Sequence, residues 1–372
     1  MEPVTHALSG AVMAFVLPRR LRRWWFPLWA AAVAASPDLD VLFVHNPMQY
    51  IEYHRGITHS LLGGPGLALL AALLPVFLTR RKKELLHDTV HWTLPAAWGF
   101  ACLLIFHHIW LDCMNSYGTQ VFLPFSDYRV RWNALFIVDI LLLLPLLAGV
   151  LLFRNRQKVM VGLLLWTLLY PLGALGIRLG LETHLKEILP ATGTFNRQSA
   201  STGLHLPDSD QGNWQEVRTL HLVPDAFSPF HWKLILDTPT TWDTAGCSIW
   251  TELPHSFLTY AKPPQKLWQE LGEKDRMFRL YQRFAVYPAV ERIIDGNDQT
   301  PELPPASREW VFSDLRFGST ISFVDNIQTR RNGEQINFRI MARLLPDGAI
   351  SAVRFVTTTG VGGDSGWQPP TP

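Results

Sequence analysis

Histidine and aspartate recur in short clusters through the apolar first half of a 372-residue chain. The clusters are Thr5-His6, Asp38-Leu39-Asp40, His54-Arg-Gly-Ile-Thr-His59, His107-His108 with Asp112, and Asp139. Ionisable side chains are expensive in hydrocarbon, so several of them in hydrophobic segments mark a function. Imidazole together with carboxylate most simply marks a metal site. His108 and Asp112 stand at i and i+4, which puts both on one helix face and lets them bind the same ion. His54 and His59, with Gly56 between them, suit a turn that returns two imidazoles toward one centre. Asp38 and Asp40 follow Pro37, where an extended backbone would splay them, so one of the two is expected to ligate. Asp139 sits within Phe-Ile-Val-Asp-Ile-Leu-Leu, where ligation and the orienting of a neighbouring side chain are both open. Nitrogen and oxygen donors together favour zinc, with manganese or iron also compatible, and several carboxylates allow more than one ion. Cys102, Cys113 and Cys247 have no CxxC spacing, which argues against thiolate zinc and against a disulfide framework.

The elements that must position these groups are hydrophobic. Six apolar segments can be marked, at 4–17, 24–35, 60–78, 92–110, 134–153 and 159–179. The first two fall short of the about 20 residues that a bilayer crossing needs, while the other four are long enough. Pro65, Pro95, Pro145 and Pro171 within them predict kinks. Arg19, Arg20, Arg22 and Arg23, then Arg80 to Lys83, then Arg154, Arg156 and Lys158 fill alternate loops, which the positive-inside rule assigns to the cytoplasm. On that topology all five clusters reach the opposite, outer face. No N-terminal cationic region or cleavage site marks a removed signal peptide.

Each cluster also has a plainer role. His6 could neighbour a helix cap, Asp38 and Asp40 could stop a helix with Pro37, and His54 and His59 could lie in an interfacial loop. Three ionisable groups within six residues, His107, His108 and Asp112, are the hardest to explain by structure alone.

In order and spacing, these motifs carry a resemblance. Thr5-His-Ala-Leu-Ser-Gly10, Ser36-Pro-Asp-Leu-Asp40, His54-Arg-Gly-Ile-Thr-His-Ser60, His108-Ile-Trp-Leu-Asp112, Asn115-Ser-Tyr-Gly118 and Leu123-Pro-Phe125 resemble the bacterial inner-membrane metal-dependent hydrolases of the YdjM type, the DUF457 group. The resemblance covers roughly residues 1–140 and implies a multi-pass inner-membrane hydrolase with His6, Asp38, Asp40, His54, His59, His107, His108 and Asp112 as candidate ligands. A more distant similarity, in the order His6, Asp40, His54, His108 and Asp112, is to zinc-dependent phospholipase C and related nucleases. It implies phosphoester cleavage by a metal-activated water, with Asp40 bridging ions or orienting the water. Arg55, with Arg129 or Arg131, would then clamp phosphate, although Arg55 could instead pair with Asp38 or Glu52. Asp40, Arg55 and Asp139 are thus the candidate catalytic residues.

The rest of the chain reads differently. The stretches 320–324, 335–344 and 349–358 alternate apolar and polar residues as half-buried strands do, and 265–286 reads as helical. Pro254, Pro263-Pro264 and Pro304-Pro305 mark loops, and the end from Gln368 is expected to be disordered. Trp214, Trp232, Trp250 and Trp268 are expected in a core or interface, and Glu182 and His184 leave the last helix where they could approach the site. The expected architecture is α+β: a polytopic helical membrane domain of about six hydrophobic helices over 1–180, then a small β-rich, extracytoplasmic soluble domain over 181–372. A net charge of +2 with no basic stripe argues against a nucleic-acid binder; the hydrophobic segments make the lipid bilayer a partner, and the resemblances imply a lipid-like or phosphoester substrate. Two other functions fit the same residues, an ion-binding transporter or sensor and a non-catalytic scaffold with a structural metal. The first would need ionisable groups continuing through the membrane, but the inner halves of the segments are almost wholly apolar.

Overall fold

In a computed structural model the described residues are 1–80, 92–189, 193–203, 211–226, 228–250, 254–296, 303, 305–321, 324, 338–357 and 364–371. They divide into two compact units. One comprises Met1–Phe43, Tyr53–Arg178 and Phe227–Pro229, the other Val44–Glu52, Leu179–Ala226 and Phe230–Pro372. The two short exchanges, 44–52 and 227–229, carry no hydropathy signal and were not expected.

The first unit is helical. The helical elements are α1 (Pro3–Val16), α2 (Phe26–Ala35), a 3-10 stretch Ser36–Phe43, α3 (Pro47–Tyr53), a 3-10 turn Ile57–His59, α4 (Gly63–Arg80), α5 (Leu94–Cys113), α6 (Ile140–Leu152) and α7 (Gln157–Ile188), of which α3 up to Glu52 and α7 from Leu179 belong to the second unit. The Glu2 carboxylate caps α1 by accepting from Thr5 N at 3.1 Å. Gly10 is required where α1 meets α2, because a Cβ there would lie 2.5 Å from both the Ala30 carbonyl oxygen and the Ala34 Cβ. Phe26, Trp29, Val33, Leu104 and Ile105 form the core between α2 and α5, and Val12, Leu111, Leu142, Leu146 and Met160 form that around α6.

The expectation of six crossings is corrected. All six apolar segments are helical, but among the described residues only Phe26–Phe43, Leu94–Cys113 and Gln157–Ile188 are long and apolar enough to cross a membrane; a fourth span arises if Pro47–His59 and Gly63–Thr79, bent by 67°, count as one. α1 and α6 have only 14 and 13 residues. Segment five is shortened because Asp139 caps the helix at Ile140 and leaves 134–139 outside it. Pro65 and Pro95 fall in the first turns of α4 and α5, where no amide is needed, so only Pro145 and Pro171 of the four lie inside a helix, with Pro75 as a further one.

Among the described residues the second unit is built on a sheet of ten strands. These are β1 (Thr194–Ser199), β2 (Gln211–Asn213), β3 (Thr219–Pro224), β4 (His231–Asp237), β5 (Thr241–Ser248), β6 (Ser256–Ala261), β7 (Pro288–Asp295), β8 (Arg308–Asp314), β9 (Arg339–Leu344) and β10 (Ile350–Val356). From β3 to β10 each strand pairs with the next, antiparallel throughout; β1 adds to β6 in parallel and pairs with β2. The helices α8 (Gln265–Lys274) and α9 (Arg276–Phe284) join β6 to β7, as the sequence predicts. Asp275 caps α9 by accepting from Phe278 N at 2.9 Å, and Met277, Phe278, Tyr281 and Phe284 turn one apolar face inward. Val353 and Phe355 alternate inward on β10.

Three expectations for this unit change. Thr320 and Ile321 lie in a bend rather than a strand, while 322–323, 335–337 and Pro304 fall outside the described residues, as do Arg81, Lys82 and Lys83 of the basic loop. The end from Gln368 is tied down, with Gln368 N bonding Val353 O at 2.9 Å and Thr371 N bonding Asp275 Oδ2 at 3.0 Å. Trp214 and Trp232 are core residues, but Trp250 is 71% exposed. Glu182 pairs with Lys186 one turn on, and His184 is exposed; both belong to this second unit.

Candidate metal centre

Four ligand atoms meet inside the first unit. Asp38, His59, His108 and Asp112 each present one donor, all within 4.8 Å of one another, and all four residues are buried. The two imidazoles face each other, His59 Nε2 to His108 Nε2 at 3.0 Å. Asp112 Oδ2 lies 3.4 Å from both nitrogens, and Asp38 Oδ1 lies 3.4 Å from His59 Nε2 and 3.7 Å from His108 Nε2. Donors at zinc-ligand lengths on a tetrahedron are separated by about 3.3 Å. The observed edges bracket that value.

The proton positions make the fit sharper. His108 Nδ1 lies 2.7 Å from the Ala34 carbonyl, which can only accept, so Nδ1 carries the proton and Nε2 is a bare lone pair. His59 Nδ1 faces the Thr58 hydroxyl at 3.0 Å, and that hydroxyl donates onward to Asp40 Oδ2 at 3.3 Å, which fixes the same tautomer. Two lone pairs therefore point at each other across 3.0 Å. Neither oxygen of Asp38, nor Asp112 Oδ2, has a hydrogen-bond partner among the described residues. Arg55 and the Met1 amino group meet Asp112 only at Oδ1, so the inward carboxylate oxygens and imidazole nitrogens are left to a cation. The residues present fit such an ion, and the cluster could hold one.

Different elements supply the donors. Asp38 comes from the 3-10 stretch that continues α2, His59 from the turn before α4, and His108 and Asp112 from adjoining turns of α5. The i, i+4 spacing works as the sequence predicts. Asp38 and Asp40 diverge as expected, though on a 3-10 backbone rather than an extended one. Asp40 turns to the surrounding shell, where it accepts from Arg55 N at 2.9 Å and meets His54 Nδ1 at 2.8 Å. Arg55 has φ +59°, which the His54-Arg-Gly turn enforces. Its side chain is 3% exposed and committed, with Nη2 3.0 Å from Asp112 Oδ1 and Nη1 donating to Asn115 Oδ1 at 2.8 Å.

The remaining candidates are placed as follows. His6 Nε2 lies 3.2 Å from Asp112 Oδ1, and its ring stacks on His108 at 3.6 Å. The amino group of Met1 also contacts Asp112 Oδ1. His107, on the next face of α5, turns away to Thr167 Oγ1 at 2.9 Å and does not join the group. Asp139 does not join it either: it accepts from Tyr170 Oη at 2.9 Å, from Leu142 N at 2.9 Å and from Ser228 Oγ at 3.4 Å. Arg129 lies against the Tyr117 ring and donates to the carbonyls of His54 and Gly118. The ligand order of the phospholipase C similarity put Asp40 and His54 where Asp38 and His59 stand in the compact group. Sequence reasoning missed Ala34, whose contribution is a backbone carbonyl with no sequence signal. It also missed Thr58 and Asn115, although both lie inside motifs that pointed to the site.

Comparison with known proteins gives a family for the helical part of the chain. The sequence model of the YdjM inner membrane proteins matches residues 1–181, which hold Asp38, His59, His108 and Asp112. A protein described as uncharacterized, YfhP of Bacillus subtilis (strain 168), is 32% identical over 111 residues, 29% of this chain and 29% of its own length. No solved structure matches. The apolar helices and the family match together make this a membrane protein, and its first 181 residues belong to the YdjM inner membrane protein family.

Proposed function

We propose that this protein is a metal-dependent hydrolase of the membrane, acting on a phosphoester, or else an ester, of a lipid or envelope precursor. The observation that carries the reading is the pair of inward lone pairs on His59 and His108, ringed by carboxylate oxygens with no partner. Asp38, His59, His108 and Asp112 would hold the ion, for which zinc suits the donor set best. When bound, a divalent ion would supply Lewis-acid chemistry, making water more acidic and polarising a phosphoryl or acyl oxygen. The protein's own groups do the rest. Ala34 and Thr58 fix the imidazole tautomers, Arg55 and His6 hold Asp112 in place, and Asp40 is the nearby carboxylate positioned to orient a water or take its proton. The arginine-rich loops support an orientation with the site on the extracytoplasmic side.

Four protein donors also suffice to close a tetrahedral site, which favours a second reading, a structural ion. Purified full-length protein should contain stoichiometric metal by elemental analysis and hydrolyse at least one of a panel of phospholipids, prenyl phosphates and simple phosphoesters, with His108→Ala and Asp112→Ala losing both properties. Metal without hydrolysis would leave the structural ion standing; absence of metal would remove both readings. An enzymatic reporter fused to the C-terminus of the full chain, active only outside the cytoplasm, checks the orientation.

A further inference from the structure

A second cavity in the first unit has a different chemistry. It occupies about 950 Å³ along α1 and α2, within the range of pockets that bury a small ligand. Its walls are apolar over most of its length, with Ala7, Ala11, Leu28 and Ala31 as floor and side. Ala7 and Ala11 lie one turn apart on α1, turned about 100° around the helix from His6 and Gly10, and none of Asp38, His59, His108 and Asp112 lines the groove, so it is separate from the metal centre.

One end is cationic. Arg19, Arg22, Arg23 and Arg154 close it, together with Trp24. Among the described residues no carboxylate pairs with these four arginines. The Arg22 guanidinium packs over the Phe15 ring at 5.0 Å, and Trp24 is 85% exposed. Arginines beside an exposed tryptophan are the signature of the membrane interface, while bare alanine and leucine walls belong at hydrocarbon depth. Arginine forks match phosphate geometry and are favoured where phosphate is recognised.

We infer that this groove binds an anionic glycerophospholipid, its phosphate among Arg19, Arg22, Arg23 and Arg154 and one acyl chain laid along Ala7, Ala11, Ala31 and Leu28. Charge complementarity selects the occupant. A second copy of this chain would have to bring its own carboxylates to four arginines, and a neutral lipid would leave them unanswered. The inference rests on the membrane placement of this unit and is independent of the proposed hydrolysis.

Native mass spectrometry of the full-length protein in detergent tests it, with added phosphatidylglycerol, phosphatidylcholine or inorganic phosphate. Phosphatidylglycerol should be retained with one equivalent bound at least tenfold more tightly than phosphatidylcholine, and phosphate alone should not displace it. Arg22→Gln combined with Arg154→Gln should weaken retention tenfold or more, as should Ala11→Trp, which fills the groove. Metal content and melting temperature, measured on the same samples, show that each variant is folded, and Arg154→Gln alone, at an exposed loop position, serves if Ala11→Trp does not fold. Equal retention of the two lipids, undiminished retention by the arginine variants, displacement by phosphate, or dimers in place of bound lipid would overturn the proposal. A metal-free protein that still selects phosphatidylglycerol would sink the hydrolase reading and leave this one intact.

Discussion

Two groups of buried aspartate lie within the helical unit, and they are satisfied in opposite ways. Asp139 accepts from the Tyr170 hydroxyl, from Leu142 N and from the Ser228 hydroxyl, so donors answer its charge from three directions. Asp38 is 7% exposed, yet neither of its oxygens has a hydrogen-bond donor among the described residues, and the same holds for Asp112 Oδ2. A carboxylate that the protein itself satisfies has no charge left to offer a ligand; one that is buried beside imidazole nitrogens without such donors could hold a cation. Residue type and apolar context, which are alike in the two groups, do not separate them. Hydrogen-bond accounting does.

The comparison can be broken most decisively at Asp38. Asp38→Asn keeps the shape and removes the charge, so affinity for divalent metal should fall by roughly a hundredfold or more, beyond the 10–100-fold typical of residues that only orient a ligand. Equilibrium dialysis with zinc measures it; unchanged binding would remove Asp38 from the ligand set. Asp40, two residues on, is satisfied by Arg55 N and His54 and acts on His59 through Thr58. Asp40→Asn should therefore weaken metal binding by about tenfold to a hundredfold and no more. A loss as large as that of Asp38→Asn would make it a ligand.

Asp139→Ala tests the opposite side. Losing the helix cap and the Tyr170 hydroxyl's bond to the carboxylate, which leaves that hydroxyl only the longer contact to the Ser228 carbonyl at 3.3 Å, should destabilise the protein by about 2 kcal/mol with metal content unchanged. A stable variant, or one that loses metal, would contradict the separation of the two groups. Asp225 in the sheet unit extends the contrast. It accepts from Ser319 Oγ at 2.6 Å and from Thr320 N at 2.6 Å. Burial pushes its carboxyl up, but the Lys233 charge and these hydrogen bonds outweigh that and hold it below the usual range. A depressed folded value stabilises above the unfolded pKa of about 3.9 and is lost as pH falls through the folded one. The stability gap between wild type and Asp225→Asn, about 1 kcal/mol near neutral pH, should thus close on acidification below about pH 4 in thermal melts. A gap independent of pH would show that its charge is irrelevant.

Much of the helical unit was legible because burial in an apolar bundle leaves a plain record in hydropathy. All six apolar segments are helices. Their count as crossings was not legible, since helix length depends on where a cap falls, and Asp139 ended α6 early by bonding Leu142 N. In the sheet unit, alternation located β9 and β10, whereas the bend at Thr320 carries a strand-like pattern for a different purpose, to bring hydroxyl and amide donors to Asp225.

For the site, sequence alone determined which residue types gather and that His108 and Asp112 share a face, because helical periodicity is a local property. It also carried the family, through motifs whose order survives in the chain. Helical spacing already favoured His108 over His107, but only the tertiary structure brought Asp38 rather than Asp40, and His59 rather than His54, into the compact group. Each pair differs by where a side chain points once a 3-10 stretch, a turn with Arg55 at positive φ, and a packed α5 are fixed in space. The carbonyl of Ala34, which sets the tautomer of His108, could be found in no other way, because a backbone oxygen is the same atom at every position of the sequence.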